Sequence, residues 1–320
     1  MTRPLEVRPE ARPRFIYWIL LLGVLSISSS AILTRFAAPA GPGIAIAAWR
    51  LIIASALLLP IAIPKAAAEV RRFTVRERLL VLTSGVALGL HFAFWIESLF
   101  HTSVASSTVL ATTSPIFLAI LGFLILGERL PRRVVIAIGI SVIGSTLIAI
   151  GDSSGTEAGE ASNATFGNAL ALSAALFVSI YLLIGRVVRR SMSWLSYMFP
   201  LYATAALSVM VIALIRGVPL FGYPAEFYFL CFLMAVFPQI VGHGSFNYAV
   251  RYFHPALIGL LTLAEPVLAS IAAYFLFGEV PFWPAMVGMG FVLLGVSLAV
   301  FRRSSRAGRA GVTKASSGSD

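Results

Sequence analysis

The chain has 320 residues, 59% of them apolar and only 12% charged, with a net charge of +11 and a mean hydropathy of +0.93. A soluble domain carries roughly 25% charged residues, so this chain has too few to cover a water-facing surface and reads as an integral membrane protein. A single cysteine, Cys231, excludes an intramolecular disulfide and a cysteine metal cluster, and the four histidines lack ligand spacing.

A membrane-crossing helix needs about 20 apolar residues. The basic stretch 1–14 leads into an apolar run over 15–36. This looks like a secretory leader, but the run is about twice the usual apolar core of one, so it is read as a retained first span. Nine more candidates follow: 43–64, 79–100, 104–126, 133–151, 166–186, 195–215, 226–248, 255–277 and 283–301. The eighth is the least regular, because Pro238, Gln239, His243 and Asn247 dilute its pattern.

Ten spans sort the charges. Arg3, Arg8, Arg12 and Arg14 precede the first span, and Lys65, Arg71, Arg72, Arg76 and Arg78 lie between the second and third. Arg129, Arg132 and Arg133 follow the fourth, Arg186, Arg189 and Arg190 the sixth, and Arg251 the eighth. Arg302, Arg303, Arg306, Arg309 and Lys314 belong to the tail, so 21 of 24 basic residues fall on one side. Lys and Arg favour cytoplasmic loops, which places both termini in the cytoplasm. The acidic segment 152–165 lies on the other side. Orientation thus accounts for the positive charge, with some attraction to anionic lipid, and a nucleic-acid partner is not implied.

The phrase SPIFLAILGFLILGER at 114–129 returns as EPVLASIAAYFLFGEV at 265–280, an offset of 151 residues. The same offset aligns Ala105 with Ala256, Pro115 with Pro266, Gly127 with Gly278 and Glu128 with Glu279. It also aligns Gly139 with Gly290, Gly144 with Gly295, Leu147 with Leu298 and Arg35 with Arg186. The chain divides into two repeats, 15–151 and 166–301, with a basic tail over 302–320. Five spans per repeat is an odd number, so the second copy enters the membrane from the opposite side. The expected fold is all-α, with ten transmembrane helices in two inverted five-helix repeats, an architecture widespread among secondary transporters.

The stretches SLFHTSVASSTVLATTSPIFLAILGFLILGERLP (98–131), RYFHPALIGLLTLAEPVLASIAAYFLFGEVP (251–281) and AAWRLIIASALLLP (47–60) resemble the drug/metabolite transporter superfamily, specifically its EamA-type exporters. The resemblance covers roughly 15–300. It implies two inverted five-helix repeats, cytoplasmic termini, a multi-pass position in the cytoplasmic membrane and outward movement of a small-molecule substrate. It leaves open whether the protein is a monomer or a homodimer.

Charged and polar residues at membrane depth carry the candidate site, because each costs about 2.5–3.5 kcal/mol there unless it meets a partner or water. Glu265 lies near mid-membrane and replaces Ser114 of the first repeat. It is read as a cavity carboxylate for a cationic group or a coupling proton, or else as a partner for Arg50. His91 and Trp95 share a face of the third span, and Gln239, His243 and Asn247 form a polar stripe on the eighth. With Ser114 these are the candidate substrate contacts. Arg50 reads as gating or structural, with bidentate binding of a substrate carboxylate as the alternative. Glu97 is expected to pair with Arg50 or Arg35, with a place in an outer vestibule as the alternative. Pro115 and Pro266 are expected to kink their helices, and Glu128 and Glu279 to close helix ends. The glycines of the fifth and tenth spans read as close helix packing.

These features point to a secondary transporter, an exporter of small amphipathic metabolites such as amino acids. Drug or toxic-cation efflux by proton antiport, or a channel, are the alternatives. The chain lacks a Gly-x-Ser-x-Gly elbow, a His-Glu-x-x-His helix and a Walker loop, so it is not read as an enzyme, and neither cofactor nor metal is called for.

Overall fold

The computed structural model describes residues 13–101, 104–127, 129–153, 164–277 and 283–300. These form ten helical crossings, with no strand among the described residues. They are α1 (Ile16–Ala37), α2 (Gly43–Arg71), α3 (Val75–Ser98), α4a and α4b (Val104–Ala111, Ser114–Leu126) and α5 (Arg132–Ser153). The second repeat supplies α6 (Ala164–Val188), α7 (Trp194–Ile215), α8 (Ala225–Ala249), α9a and α9b (Pro255–Thr262, Glu265–Phe277) and α10 (Trp283–Val300).

Local chemistry sets several ends. Thr74 and Glu77 form a reciprocal capping box that starts α3. Ser193 caps α7 by accepting from the Ser196 backbone N–H, and His254 caps α9a in the same way through Ala256, ahead of Pro255. α4b stops at Gly127, whose φ of 65° is the left-handed conformation that glycine adopts without strain. Exposed Trp18, Leu124, Ile215 and Phe275 belong to an outer apolar surface suited to lipid.

The structure corrects the expected span of α2. It continues through Pro60 and Pro64 to Arg71, so Lys65 and Arg71 stand on a helix, with Ala62 and Ala66 still buried beneath. Within α8 the residues Ala235–His243 form a π-helical stretch around Pro238. A proline cannot supply the N–H of an α-helical turn, and the wider winding accommodates it.

The fourth and ninth spans break in the same register. α4a and α9a end at Ala111 and Thr262, while α4b and α9b begin at Ser114 and Glu265, each pair separated by the repeat offset of 151. Pro115 and Pro266 sit second in the new segments, so the expected kinks are full interruptions. Contacts between helices obey the same exchange. α3 packs against α6 as α8 does against α1, α3 against α7 as α8 does against α2, and α4 against α6 as α9 does against α1. The pairs α2–α7 and α5–α10 map onto themselves. This pattern is that of two five-helix repeats that exchange equivalent contacts about a pseudo-two-fold relation.

The α5–α10 seam is built on glycine, as the sequence implied. A Cβ on Gly144 would lie 2.6 Å from the Gly288 carbonyl oxygen, and one on Gly295 would lie 2.7 Å from that of Ala137. Gly139 and Gly290, by contrast, face nothing within 4 Å. Gly144→Ala is therefore expected to destabilise by about 1–3 kcal/mol through overpacking. Gly290→Ala should be neutral or slightly stabilising. Thermal unfolding of the two variants in one detergent compares them directly.

Candidate substrate site

Both helix interruptions border a buried cavity of about 50 Å3 between the repeats. Its lining contains six pairs of residues at the repeat offset: Ile27 and Val178, Ser30 and Tyr181, Phe92 and His243, Trp95 and Phe246, Ala111 and Thr262, Ser114 and Glu265. His91, Thr108, Thr112 and Leu182 complete it. Equivalent positions from two halves can converge in this way only on the pseudo-two-fold axis. Of the lining residues, Ala111 and Thr262 are half-buried and the others are buried.

Five of the expected contacts thus come together: Glu265, His91, Trp95, Ser114 and His243. Gln239 and Asn247 are fully buried but do not line the cavity. The π-helical turns change the phase between Gln239 and His243, so the stripe expected of a uniform α-helix is not continuous. Asn247 instead supports the site from behind. Its Nδ2 donates to the His243 carbonyl at 2.9 Å and to the Tyr181 hydroxyl at 3.4 Å.

His91 Nδ1 is 2.9 Å from the Ala174 carbonyl. Because a carbonyl only accepts, this nitrogen carries the proton, and Nε2 is left as an acceptor. His243 Nδ1 is 2.9 Å from the Tyr181 hydroxyl. The Phe92 ring lies edge-on to both imidazoles, with centroids 4.8 and 5.0 Å away. The two histidines are therefore held by separate contacts to the second repeat, and their ring centroids lie 6.1 Å apart beside Phe92.

Arg50 is fully buried behind this wall. Its Nη1 donates to Ser30 Oγ at 3.1 Å, and its guanidinium carbon stands 4.1 Å from the Phe92 ring centroid. Nε and Nη2 have no hydrogen-bond partner. Among the described residues Glu265 makes no hydrogen bond and no ion pair, so the suggested Arg50–Glu265 bridge is not formed in this conformation.

The expected pairing of Glu97 with Arg50 or Arg35 is also corrected. Glu97 lies 3.2 Å from Arg216 and 3.6 Å from His101, at the end of the bundle opposite the α2–α3 turn. Arg216, at the C-terminal cap of α7, reaches across the repeats where Arg50 is enclosed deep in the bundle. Glu128 and Glu279 lie outside the described residues.

Sequence reasoning did not single out Ser30, Phe92, Thr108, Thr112, Tyr181, Phe246 or Thr262. The offset of 151 was the signal that could have found two of them: applied to Trp95 it gives Phe246, and applied to His243 it gives Phe92. Tyr181 follows only once Ser30 is known.

Against this geometry the comparisons are specific. The model of the EamA-like transporter family matches residues 14–150 and 165–301, two stretches at the same offset of 151. The chain belongs to this family. An "uncharacterized transporter" of Clostridium kluyveri is 22% identical over 248 residues, 76% of this chain and 79% of that protein. Another so named, of Archaeoglobus fulgidus, is 25% identical over 208 residues, covering 65% and 71%. A solved crystal structure with 19% identity superposes with a TM-score of 0.73 over 90% of this chain and 97% of that one, and so shares the fold. The protein is a multi-pass membrane transporter of the drug/metabolite superfamily, a class whose members are generally not enzymes.

The hydrogen bonds separate residues that hold the cavity together from residues left free in it. His91→Ala would remove the hydrogen bond to the Ala174 carbonyl, which keeps its bond within α6, and is expected to cost about 0.5–1.5 kcal/mol. Glu265→Gln breaks no hydrogen bond seen here and should leave the melting temperature unchanged or raise it. Thermal unfolding without added solute measures both.

Proposed function

We propose that the protein is a secondary active transporter that exports small amphipathic metabolites bearing a cationic group, amino acids among them, by alternating access. One observation carries this reading: the cavity sits on the axis relating two inverted repeats, and only one repeat places an acid there. Inverted repeats can exchange conformations, which opens a fixed central site to one side and then the other. The paired interruptions at 112–113 and 263–264 supply bending points beside the site.

Glu265 is the group that receives the cation. A carboxylate enclosed without hydrogen bonds is unfavourable until something positive reaches it. Trp95, Phe92 and Phe246 offer ring faces to an ammonium group and its apolar body, and Ser114, Thr112 and Thr262 offer hydroxyls. A proton is the smallest cation able to take the same place, which supports proton antiport as the coupling. The concentration of basic residues at one face supports a cytoplasmic position for both termini, and hence the cytoplasmic membrane.

Thermal unfolding of the purified protein against amino acids, polyamines, organic cations and nucleosides tests the substrate class. A substrate at 100 times its dissociation constant should stabilise by about 2.7 kcal/mol, and Glu265→Gln should abolish that gain. Stabilisation by a cationic solute that persists undiminished in Glu265→Gln would remove Glu265 from the site. Proteoliposomes loaded with the stabilising solute then report efflux, which should accelerate when a proton gradient opposes it.

A further inference from the structure

Asn247, Tyr181 and His243 form a brace on the cavity wall that the first repeat lacks. Asn247 Nδ2 donates to the His243 carbonyl and to the Tyr181 hydroxyl, and that hydroxyl lies 2.9 Å from His243 Nδ1. The repeat offset places Ile96, Ser30 and Phe92 at the equivalent positions, where no such brace can form. The shared fold is therefore built in one repeat without it.

Counting protons along the brace leaves one arrangement. The His243 carbonyl can only accept, so the atom of Asn247 that faces it is the amide nitrogen, and Oδ1 is the atom without a partner. The Tyr181 hydroxyl then accepts from Nδ2 at 3.4 Å. Tyr181 is fully buried, so its own proton must go to protein, and among the described residues it meets His243 Nδ1. His243 Nδ1 is therefore the bare nitrogen, and Nε2 carries the proton. A ring protonated on both nitrogens would turn an N–H towards this hydroxyl and leave the hydroxyl proton with no acceptor. His91 is the reverse case, with Nδ1–H donating to the Ala174 carbonyl and Nε2 bare. Both rings line the cavity, and neither Nε2 makes a hydrogen bond among the described residues.

We infer that Tyr181, itself set by Asn247, is a positioning residue that fixes His243 as the Nε2–H tautomer, opposite to His91, so that the cavity holds one imidazole that donates and one that accepts. The use of this pair by a solute rests on the proposed transport reading, whereas the tautomers do not. A polar group lodged between the two rings is held in one sense only, donating to His91 and accepting from His243. Two histidines of the same tautomer would offer two donors or two acceptors and lose that sense.

Nitrogen NMR of the full-length protein in detergent, carrying isotope-labelled histidine, reads the tautomers directly. The chain has four histidines, so single His→Gln variants assign every signal. At mildly alkaline pH, His91 should show a protonated Nδ1 and a bare Nε2, and His243 the reverse. In Tyr181→Phe the His243 signals should move to a mixture of both tautomers while those of His91 stay in place. Asn247→Leu should move them part of the way and serves if Tyr181→Phe does not fold. Any proteinogenic L-amino acid that stabilises the wild type against thermal unfolding should bind Tyr181→Phe about tenfold more weakly, the worth of roughly one hydrogen bond.

A wild-type His243 protonated on Nδ1, alone or together with Nε2, would overturn the inference. So would an Nε2–H tautomer that persists unchanged in both Tyr181→Phe and Asn247→Leu, because something other than the brace would then set it. A released tautomer with unchanged amino-acid affinity would confine the brace to the fold and remove its positioning role. If no amino acid stabilises the wild type, the substrate class proposed above fails, and the spectra by themselves decide the inference about Tyr181.

Discussion

A peptide group left without a hydrogen bond in hydrocarbon costs several kcal/mol, and the arrangement of this protein follows from that constraint. Eight of its ten crossings are continuous helices, which satisfy the backbone internally. The other two are broken, and a broken helix is tolerated at membrane depth only where protein or water covers it. Both breaks border the cavity. The positions that lipid would reject are thus enclosed at the centre, together with the acid and the polar hydroxyls that lipid would also reject.

Duplication supplied this enclosure twice. The helix contacts and both interruptions repeat at one offset, so the backbone is close to symmetric. The side chains on the axis are not. Ser30 corresponds to Tyr181, Phe92 to His243, and Ser114 to Glu265. Both repeats supply hydroxyls and rings, but only the second supplies an acid, which gives the cavity a direction that its backbone lacks. Arg50 lies fully buried beside Ser30 and Phe92 of the first repeat.

The sequence reveals the fold more readily than the site, and the physical cause is range. Ten apolar runs, the positive-inside bias and a repeated Pro-to-Gly-Glu phrase are regularities of composition and spacing, and they survive any detail of packing. Site membership depends on helix phase. The reading of Gln239, His243 and Asn247 as one stripe assumed α-helical winding, and the π-helical turns around Pro238 break that assumption. The partner of Glu97 was sought among arginines near in depth, yet Arg216 arrives from the other repeat at the end of α7. Long-range partners of this kind leave no trace in local periodicity. Where symmetry links distant positions, as for Trp95 and Phe246, the trace exists and can be followed.

The shared register of the two interruptions separates geometry from chemistry. The backbone at Ser114 and the backbone at Glu265 are two castings of one shape, broken at the same register of the two repeats. Exchanging the two side chains would carry the negative pole across the axis while leaving every helix break where it is. A lineage built on this scaffold can therefore invert or relocate the polarity of its binding site by point substitution, with no insertion, no deletion and no new fold.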